Sequence, residues 1–309
     1  MPIPTIYPLD LNFHNTLTSI ASYLIPHAEG GVLVECGPGS TLPTMQARLK
    51  DHNLTPQDIT DVFVTHIHLD HAGAAGWFAN QGARIHVHHV GAQHLLDPAK
   101  LIASASRIYG DKMDELWGKF LPVPADKLNI LHDEDEITVN DLVFRALDTP
   151  GHAYHHMAYI LDGVCFSGDV GGVRIAIPGY RHLRLPMPPP GLHLDKWRAT
   201  IQRLQQENIH HLALTHFGIF DDVEWHFQAI SEALDAADAW IRDVMPRAEK
   251  LENGEISKNW LRKEFMAWAK ERALAAGLTE DLLNTYEEAN PSGMSADGLL
   301  RYWRKFIKE

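Results

Sequence analysis

Histidine and aspartate side chains crowd residues 65–73, where four metal-binding side chains fall within six positions. They are His66, His68, Asp70 and His71. An apolar, strand-like run leads directly into this segment, so His66 and His68, two residues apart, can point the same way at its end. Asp70 and His71 fall in the turn that follows and can point elsewhere. The spacing therefore favours two metal ions side by side, and imidazole and carboxylate ligands suit zinc, iron or manganese.

Three more candidate ligands follow later apolar runs, each at or just beyond the end of an expected strand. They are His152, Asp169 and His216. Because a sheet places the ends of neighbouring strands along one rim, these side chains can meet those of the first segment. Together the two groups complete a set of seven ligands.

The elements that must position these ligands alternate through the first two-thirds of the chain. Short runs rich in Val, Ile, Phe and Tyr, most of them bounded by Gly, Pro, Asn or Asp, predict strands. Strands are predicted at residues 21–26, 31–36, 61–65, 83–88, 141–147, 156–161, 164–167 and 211–215, and helices at 41–50, 72–80 and 98–120. Strands mixed with helices in this way predict an α/β layered fold.

The last third changes character, because apolar residues recur there at helical spacing and no convincing strand follows residue 222. Helices are predicted at residues 223–245, 257–276, 279–290 and 295–308. We therefore divide the chain into a first domain, residues 1–221, and a helical C-terminal region, residues 222–309. Residues 171–191 are rich in proline and predict a long ordered loop.

The charge balance limits the partners. The 309 residues include 27 Lys and Arg against 40 Asp and Glu, a formal charge of −13. Since nucleic acids and anionic membranes are bound mainly through Lys and Arg, we expect neither as a partner. We expect a small-molecule substrate, and the tryptophan-rich last third would allow a homodimer.

The compartment is inferred from three features. No apolar run approaches the roughly 18 residues of a membrane span. The first residues lack the basic and apolar regions of a signal peptide. Cys36 and Cys165 sit in apolar runs and are expected to be buried free thiols, as in a reducing cytosol. We therefore expect a cytoplasmic protein.

The pattern His-x-His-x-Asp-His resembles the hallmark of the metallo-β-lactamase-fold superfamily, and the resemblance covers about residues 15 to 220. It implies an αβ/βα four-layer sandwich, with two metal ions between the edges of two sheets. The helical last third forms a C-terminal extension, and it is similar to glyoxalase II, where such helices help hold substrate. The family's ligand roles carry over residue by residue: His66, His68 and His152 would bind the first metal, Asp70, His71 and His216 the second, and Asp169 would bridge them.

Details of the motifs point to the branch of glyoxalase II and lactonase-like hydrolases. The classical zinc β-lactamases have other residues at the position of Asp169, and the diiron flavoproteins of this fold have Glu at that of His68. The interval between Asp169 and His216 is too short for the extra domain of the nucleic-acid-processing branch.

The resemblance implies a dinuclear hydrolase that acts on a small ester, lactone or thioester, with phosphoesters as promiscuous substrates. Two divalent ions, Zn²⁺ first and Fe or Mn as alternatives, would supply a metal-bridging hydroxide that acts beside Asp70. Two alternatives stay open. One is a mononuclear iron oxygenase of the persulfide dioxygenase type, and the other is a metal-stabilised binding protein without catalysis.

Other residues are candidates for supporting roles. Glu35 would orient a metal ligand, His156 would hydrogen-bond behind the ligands, Tyr109 and Tyr154 would donate to an oxyanion, and Arg174 and Arg181 would receive a substrate carboxylate or phosphate. The segments 98–120 and 171–191 are candidates for a lid over the site.

Overall fold

Two mixed six-stranded sheets form the centre of the molecule in a computed structural model that describes residues 4–177 and 179–307. In the first sheet the strands follow chain order, with β1 to β3 antiparallel and β3 to β6 parallel. Its strands are β1 (Tyr7–Asp10), β2 (Ala21–His27), β3 (Gly30–Val34), β4 (Ile59–Phe63), β5 (Arg84–His88) and β6 (Leu128–Leu131).

The second sheet runs in the order β12-β11-β10-β9-β8-β7, and only its β10–β11 pair is parallel within the described ranges. Its strands are β7 (Glu136–Val139), β8 (Leu142–Asp148), β9 (Met157–Leu161), β10 (Val164–Phe166), β11 (His211–Leu214) and β12 (Gly218–Phe220).

Eleven α-helices accompany the sheets in the described part of the chain. They are α1 (Leu42–Asp51), α2 (Leu69–Ala72), α3 (Ala75–Gln81), α4 (His89–Leu96), α5 (Ala99–Tyr109), α6 (Met113–Trp117), α7 (Leu194–Leu204), α8 (Val223–Val244), α9 (Lys258–Ala275), α10 (Glu280–Ala289) and α11 (Ser292–Tyr302). No helix among residues 4–177 and 179–307 has the length and apolar character that a membrane crossing needs.

The two sheets pack face to face through aromatic side chains. Phe63 of β4 stacks on Phe144 of β8 with ring centroids 4.4 Å apart, and Tyr23 of β2 meets Phe166 of β10 at 5.5 Å. These side chains belong to one apolar core, while two further cores join the outer face of each sheet to its helices. The predicted four-layer αβ/βα sandwich is confirmed, and Cys36 and Cys165 are buried and free, as expected.

The C-terminal helices continue one of these outer layers. Phe227 and Ile230 of α8 share a core with Trp197 of α7 and Leu212 of β11. The helices at 223–245, 257–276 and 279–290 match their predictions within a residue or two, while the last one begins earlier, at Ser292, and widens into a π-helix at Trp303–Ile307. The shared core makes α8 a covering layer of the second sheet.

The prediction of one helix at 98–120 is wrong. The chain breaks between α5 and α6 at Gly110, whose φ of 55° is not helical, and α6 ends at Gly118, whose φ is 65°. Glycine adopts these angles without a steric penalty, so both positions interrupt the apolar helical pattern. The predicted helix at 72–80 likewise divides into α2 and α3.

The sequence also missed several short elements at the margins of the fold. Among the strands, β1, β6, β7 and β12 have four residues or fewer and lie at or beside a sheet edge. Such strands are stabilised mainly by their neighbours, so their own sequence carries a weak signal. The helices α4 and α7 were missed as well, and residues 171–191 contain no α-helix among those that the structure describes.

Candidate metal centre

Four strand ends bring the seven predicted ligands to one edge of the sandwich. His66 and His68 follow β4 of the first sheet, while His152, Asp169 and His216 follow β8, β10 and β11 of the second. The two sheets are tied together there, since the amide of Met157 donates to the carbonyl of Thr65 over 2.7 Å. The ligands therefore come from both sheets to one place.

One group of ligand atoms surrounds the first candidate metal position, and it comprises His66, His68, His152 and Asp169. The Nδ1 atom of His68 lies 2.8 Å from Nε2 of His66 and 3.0 Å from Nε2 of His152. The Oδ2 atom of Asp169 lies 3.2 Å from Nε2 of His152 and 3.9 Å from Nε2 of His66.

A second group lies against the other oxygen of Asp169. The Oδ1 atom of Asp169 is 3.3 Å from Nε2 of His71 and 3.4 Å from Nε2 of His216. The Oδ2 atom of Asp70 is 3.6 Å and 3.5 Å from the same two nitrogens. Each oxygen of Asp169 thus faces one group, as a bridging carboxylate does.

These separations fit divalent ions. Ligand atoms about 2.0–2.1 Å from a tetrahedral ion lie about 3.3–3.4 Å apart, within the observed spread of distances. The buried Nε2 of His71 and Oδ1 of Asp169 have no hydrogen-bond partner among the described residues. Because a buried polar atom without a partner is costly, two atoms left facing each other indicate a place for a cation.

A buried carboxylate fixes the orientation of His71. The Oε1 atom of Glu35 lies 3.0 Å from Nδ1 of His71 and accepts hydrogen bonds from the hydroxyls of Thr65 (2.5 Å) and Thr215 (3.1 Å). With Nδ1 occupied as a donor, the Nε2 lone pair of His71 is directed at the site. The structure therefore places Glu35 against His71, a candidate ligand.

Backbone carbonyls orient two further ligands in the same way. The Nδ1 atom of His152 lies 2.8 Å from the carbonyl oxygen of Pro186, and Nδ1 of His216 lies 2.6 Å from that of Ser19. These partners could not be predicted from the sequence, because every residue has a backbone carbonyl and its residue type does not show which carbonyl accepts a hydrogen bond.

Burial and charge set the proton affinities in the cluster. Burial lowers the pKa of His68 to about 3, with further lowering from His152. Burial would also lower the pKa of His71, but the carboxylates of Asp70, Asp169 and Glu35 raise it well above the ordinary value. For Asp169, burial opposes ionisation, yet the surrounding imidazoles, His152 first, hold its pKa well below the usual range. The cluster thus keeps the Asp169 carboxylate ionised.

A glycine allows the Asp169 loop to approach the first sheet. Gly168 has a φ of 48°, and a Cβ there would lie 2.5 Å from Oγ1 of Thr65 and 2.7 Å from Nε2 of His156. Any side chain at this position would push Asp169 away from the ligands after β4. Gly168 is therefore part of the geometry of the centre.

The ligand cluster forms the floor of a cavity of about 620 Å³. Its walls come from α5 and α6, from the proline-rich loop at residues 186–191, and from residues 287–294 of α10 and α11. Both segments that the sequence offered as a lid thus contribute to the walls. Residues of α10 and α11 contribute as well, in the helical last third whose similarity to glyoxalase II suggested a part in holding substrate, although nothing in their own pattern identified the residues.

The two candidate tyrosines line this cavity. Burial raises the pKa of the Tyr109 phenol, with a further contribution from the Asp70 carboxylate, so the phenol keeps its proton. Tyr154 also lines the cavity and packs near Lys305, whose Nζ is 3.5 Å from its hydroxyl. His155, which we did not predict as a site residue, lines the cavity beside His68 with ring centroids 5.5 Å apart.

His156 is buried behind the ligands. Its ring lies 5.1 Å from that of His66, and its Nδ1 lies 2.8 Å from the hydroxyl of Thr149. This is the position that the sequence suggested for a supporting residue.

The expectation that Arg174 and Arg181 receive substrate needs correction. The buried guanidinium of Arg174 donates to both carboxylate oxygens of Asp222, over 2.6 and 2.8 Å, and lies 4.0 Å above the ring of Phe220. Arg181 lies 3.4 Å from the same carboxylate. Neither residue is among those that line the cavity. Their charges stabilise the loop after Asp169 and are not directed at a ligand.

Sequence comparison agrees with the geometry of the site. The family model of the metallo-beta-lactamase superfamily matches residues 15–216. A hydroxyacylglutathione hydrolase of Vibrio cholerae serotype O1 is 31% identical over 133 residues, 43% of this chain and 40% of that protein. A metallo-beta-lactamase fold-containing protein of Sulfurisphaera tokodaii is 25% identical over 146 residues, 46% of this chain and 54% of that protein. The chain thus matches only about half of the length of these relatives.

Two solved structures share the fold over nearly the whole chain. A metallo-beta-lactamase family protein from Thermus thermophilus aligns with a TM-score of 0.65 and 21% identity, covering 98% of this chain and 94% of its own. An archaeal metallo-beta-lactamase superfamily protein from Sulfolobus tokodaii aligns with a TM-score of 0.61 and 17% identity, covering 97% and 99%. Both alignments extend across the C-terminal helices, so this region also recurs in the two neighbours.

Proposed function

Since the chain belongs to the metallo-beta-lactamase superfamily, we propose that it is a hydrolase that uses two divalent metal ions to cleave a small carboxylic ester, lactone or thioester. Zn²⁺ is the first choice of metal, and Fe or Mn would suit the same ligands. Phosphoesters would be secondary substrates. The hydroxyacylglutathione hydrolases among the relatives support thioesters as one of the candidate classes.

The bridging position of Asp169 carries this proposal. Its two oxygens face two separate sets of ligand atoms, at 3.2 Å from His152 on one side and 3.3 Å from His71 on the other. A site with a single metal ion would leave one oxygen of Asp169 buried with no cation beside it. The imidazoles around that oxygen would likewise have no ion to bind. The second set is therefore the observation that favours a hydrolase over a mononuclear oxygenase.

Some of these residues would hold the metal ions, and others would contact the substrate. When bound, the two ions would acidify a water to hydroxide near neutral pH and polarise the substrate carbonyl. Glu35 and the carbonyls of Pro186 and Ser19 hold three histidines in one tautomer, which fixes the ligand geometry before substrate arrives. Asp70 also lines the cavity, so its carboxylate can accept a proton there.

The protonated phenol of Tyr109 lies in the wall above the floor. It can donate a hydrogen bond to the oxyanion that forms when the carbonyl is attacked. The surrounding apolar walls keep bulk water from the reacting group and strengthen this bond.

A substrate panel with matched histidine variants tests the proposal. We expect the protein loaded with zinc or manganese to hydrolyse at least one member of a panel of p-nitrophenyl acetate, γ-butyrolactone and S-lactoylglutathione without consuming oxygen. His216→Ala should lower kcat/KM at least about 100-fold, while His132→Ala, at a side chain that is 66% exposed, should leave it unchanged. Oxygen uptake on a persulfide substrate, with no hydrolysis across the panel, would contradict the proposal.

A further inference from the structure

We propose that the substrate carries a medium-length aliphatic chain beside the hydrolysed carbonyl and has no negative charge at the far end of that chain. This inference rests on the proposed function and deepens it, because it concerns the group that the cavity would enclose. It draws on the walls of the cavity, which play no part in holding metal.

The walls are apolar on three sides. Leu101, Ile108 and Trp117 come from α5 and α6, and prolines 186, 188, 189 and 190 come from the proline-rich loop. Pro291 and Met294 of the α11 segment close the third side. Three separate segments of the chain thus converge on apolar side chains, which is the pattern of a pocket for an apolar ligand.

The candidate ligand residues at the floor of the cavity determine how a bound substrate is oriented. His68, Asp70 and His152 belong to the ligand cluster and line the same cavity, with Ile67 and Leu69 between and beside them. A carbonyl group positioned at the cluster therefore has apolar side chains from each of the three walls beside it. A volume of about 620 Å³ exceeds what a short acyl group would fill.

The charges around the cavity argue against an anionic substituent. Lys100 is the one Lys or Arg that lines it among the described residues, and Glu287 and Glu288 of α10 line it as well. Glu287 is paired with Arg184 at 2.8 Å, so that arginine is already neutralised. Among the described residues that line the cavity, a group with several carboxylates, such as a glutathionyl moiety, would find one Lys and the carboxylates of Glu287 and Glu288, whereas a neutral aliphatic chain requires no counter-charge.

Binding of amides that resist hydrolysis tests this directly. We would measure the Kd of N-methyloctanamide and N-methylbutanamide for the metal-loaded protein by calorimetry. Each methylene that leaves water strengthens binding by up to about fourfold, so the octanamide should bind at least about tenfold more tightly. The monoamide of octanedioic acid, of equal length but ending in a carboxylate, should lose most of this advantage.

Two methionine variants form a matched pair. Met294→Trp fills the cavity and should abolish the preference for the longer amide, while Met266→Trp, at a side chain that is 51% exposed on α9, should preserve it. If Met294→Trp shows no cooperative unfolding transition and is therefore not folded, Ile108→Trp, at a half-exposed position on the α5 wall, makes the same test. A preference that persists in a folded cavity variant overturns the inference, and so does equal affinity for the two amides.

Kinetics with p-nitrophenyl butyrate and octanoate separate this inference from the proposed function. A gain of at least about tenfold in kcat/KM for the octanoate supports both. Hydrolysis that is indifferent to chain length, together with equal amide affinities, overturns the inference alone. Chain-length-dependent binding without hydrolysis of any ester supports the inference and contradicts the proposed function.

Discussion

The carboxylate of Glu35 illustrates how single residues prepare the centre at a distance from the metal positions. It is buried at the end of β3 and satisfied by two threonine hydroxyls and by His71. Its negative charge favours the tautomer of His71 whose Nε2 is free to bind an ion. Removing the charge while keeping the shape should therefore weaken the second metal position and leave the first one intact.

We predict that Glu35→Gln lowers the affinity for the second ion by about 10- to 100-fold. Chelator competition monitored by elemental analysis measures the affinity at each position. Glu29→Gln, at an exposed residue in the turn between β2 and β3, is the control and should match the wild type. Unchanged affinity for both ions in Glu35→Gln would show that Glu35 has no orienting role.

The pair of Arg174 and Asp222 yields a prediction about stability. The bonds from Arg174 lower the pKa of Asp222 in the folded state. A carboxyl group whose folded pKa is depressed contributes stability above its unfolded pKa, and the contribution is lost as the pH falls through the folded pKa. Asp222→Asn should cost about 1.5–3 kcal/mol at pH 7, and less as the pH approaches the folded pKa.

Urea denaturation of the wild type and of Asp222→Asn, from pH 7 down towards the folded pKa of Asp222, measures the difference in their free energies of unfolding. Asp235→Asn is the matched control, because Asp235 also binds an arginine but its side chain is 74% exposed. Its cost should stay below about 1 kcal/mol. An Asp222→Asn cost that does not change with pH would contradict the assignment of the stabilising bond to the ionised carboxylate.

The candidate ligands could be singled out from sequence because their residue types and spacing follow recognisable strand ends, and the structure brings them together. The partners that orient them could not, since Thr215 and the carbonyls of Pro186 and Ser19 meet the site only through the fold. The same limit explains the error at Arg174. Its partner Asp222 lies far along the chain, and nothing local indicates that this charge is already satisfied.

At the scale of elements, the packing of α11 against the proline-rich loop shapes the cavity. Gly298 of α11 is buried, and a Cβ built there would overlap the carbonyl oxygen of Met187. This close approach sets how near the loop and the helix lie. Since Pro186 and Met294 both line the cavity, a wider spacing should loosen both walls.

We expect Gly298→Ala to destabilise the protein by about 1–3 kcal/mol, as overpacking does. Gly293→Ala in the same helix is the control, because its Cβ would meet Arg262 only at ordinary contact distances of 3.6 Å or more. Guanidinium denaturation of both variants measures the difference. Equal stability of Gly298→Ala and wild type would mean that the loop moves away without cost.

Strands and helices whose own sequence has a strong apolar pattern could be predicted. Those that are stabilised mainly by contacts with neighbouring elements could not. The central strands β2, β4 and β9 and the long helices α8 and α9 match the sequence prediction closely. The edge strands have few residues and gain their stability from pairing. The break at Gly110 was missed because the apolar stripe continues on both sides of it, from Tyr109 to Trp117.

At the scale of the whole molecule, the four-layer sandwich presents one edge at which both sheets end. This is why ligands from distant parts of the chain converge, and why the resemblance of one short motif implied so much of the architecture. The third wall of the cavity is different. It depends on α10 and α11 folding back over the first domain, a long-range contact that no local pattern encodes. The division of the chain after residue 221 stays a prediction.

The metal content per chain tests the central claim most directly, and elemental analysis of the purified protein measures it. We expect about two divalent ions per chain, zinc or a mixture of zinc, iron and manganese. Asp169→Asn should reduce the content at both positions, because its two oxygens face both ligand groups, and His132→Ala should not. One iron per chain, unaffected by loss of His216, would contradict the two-metal centre.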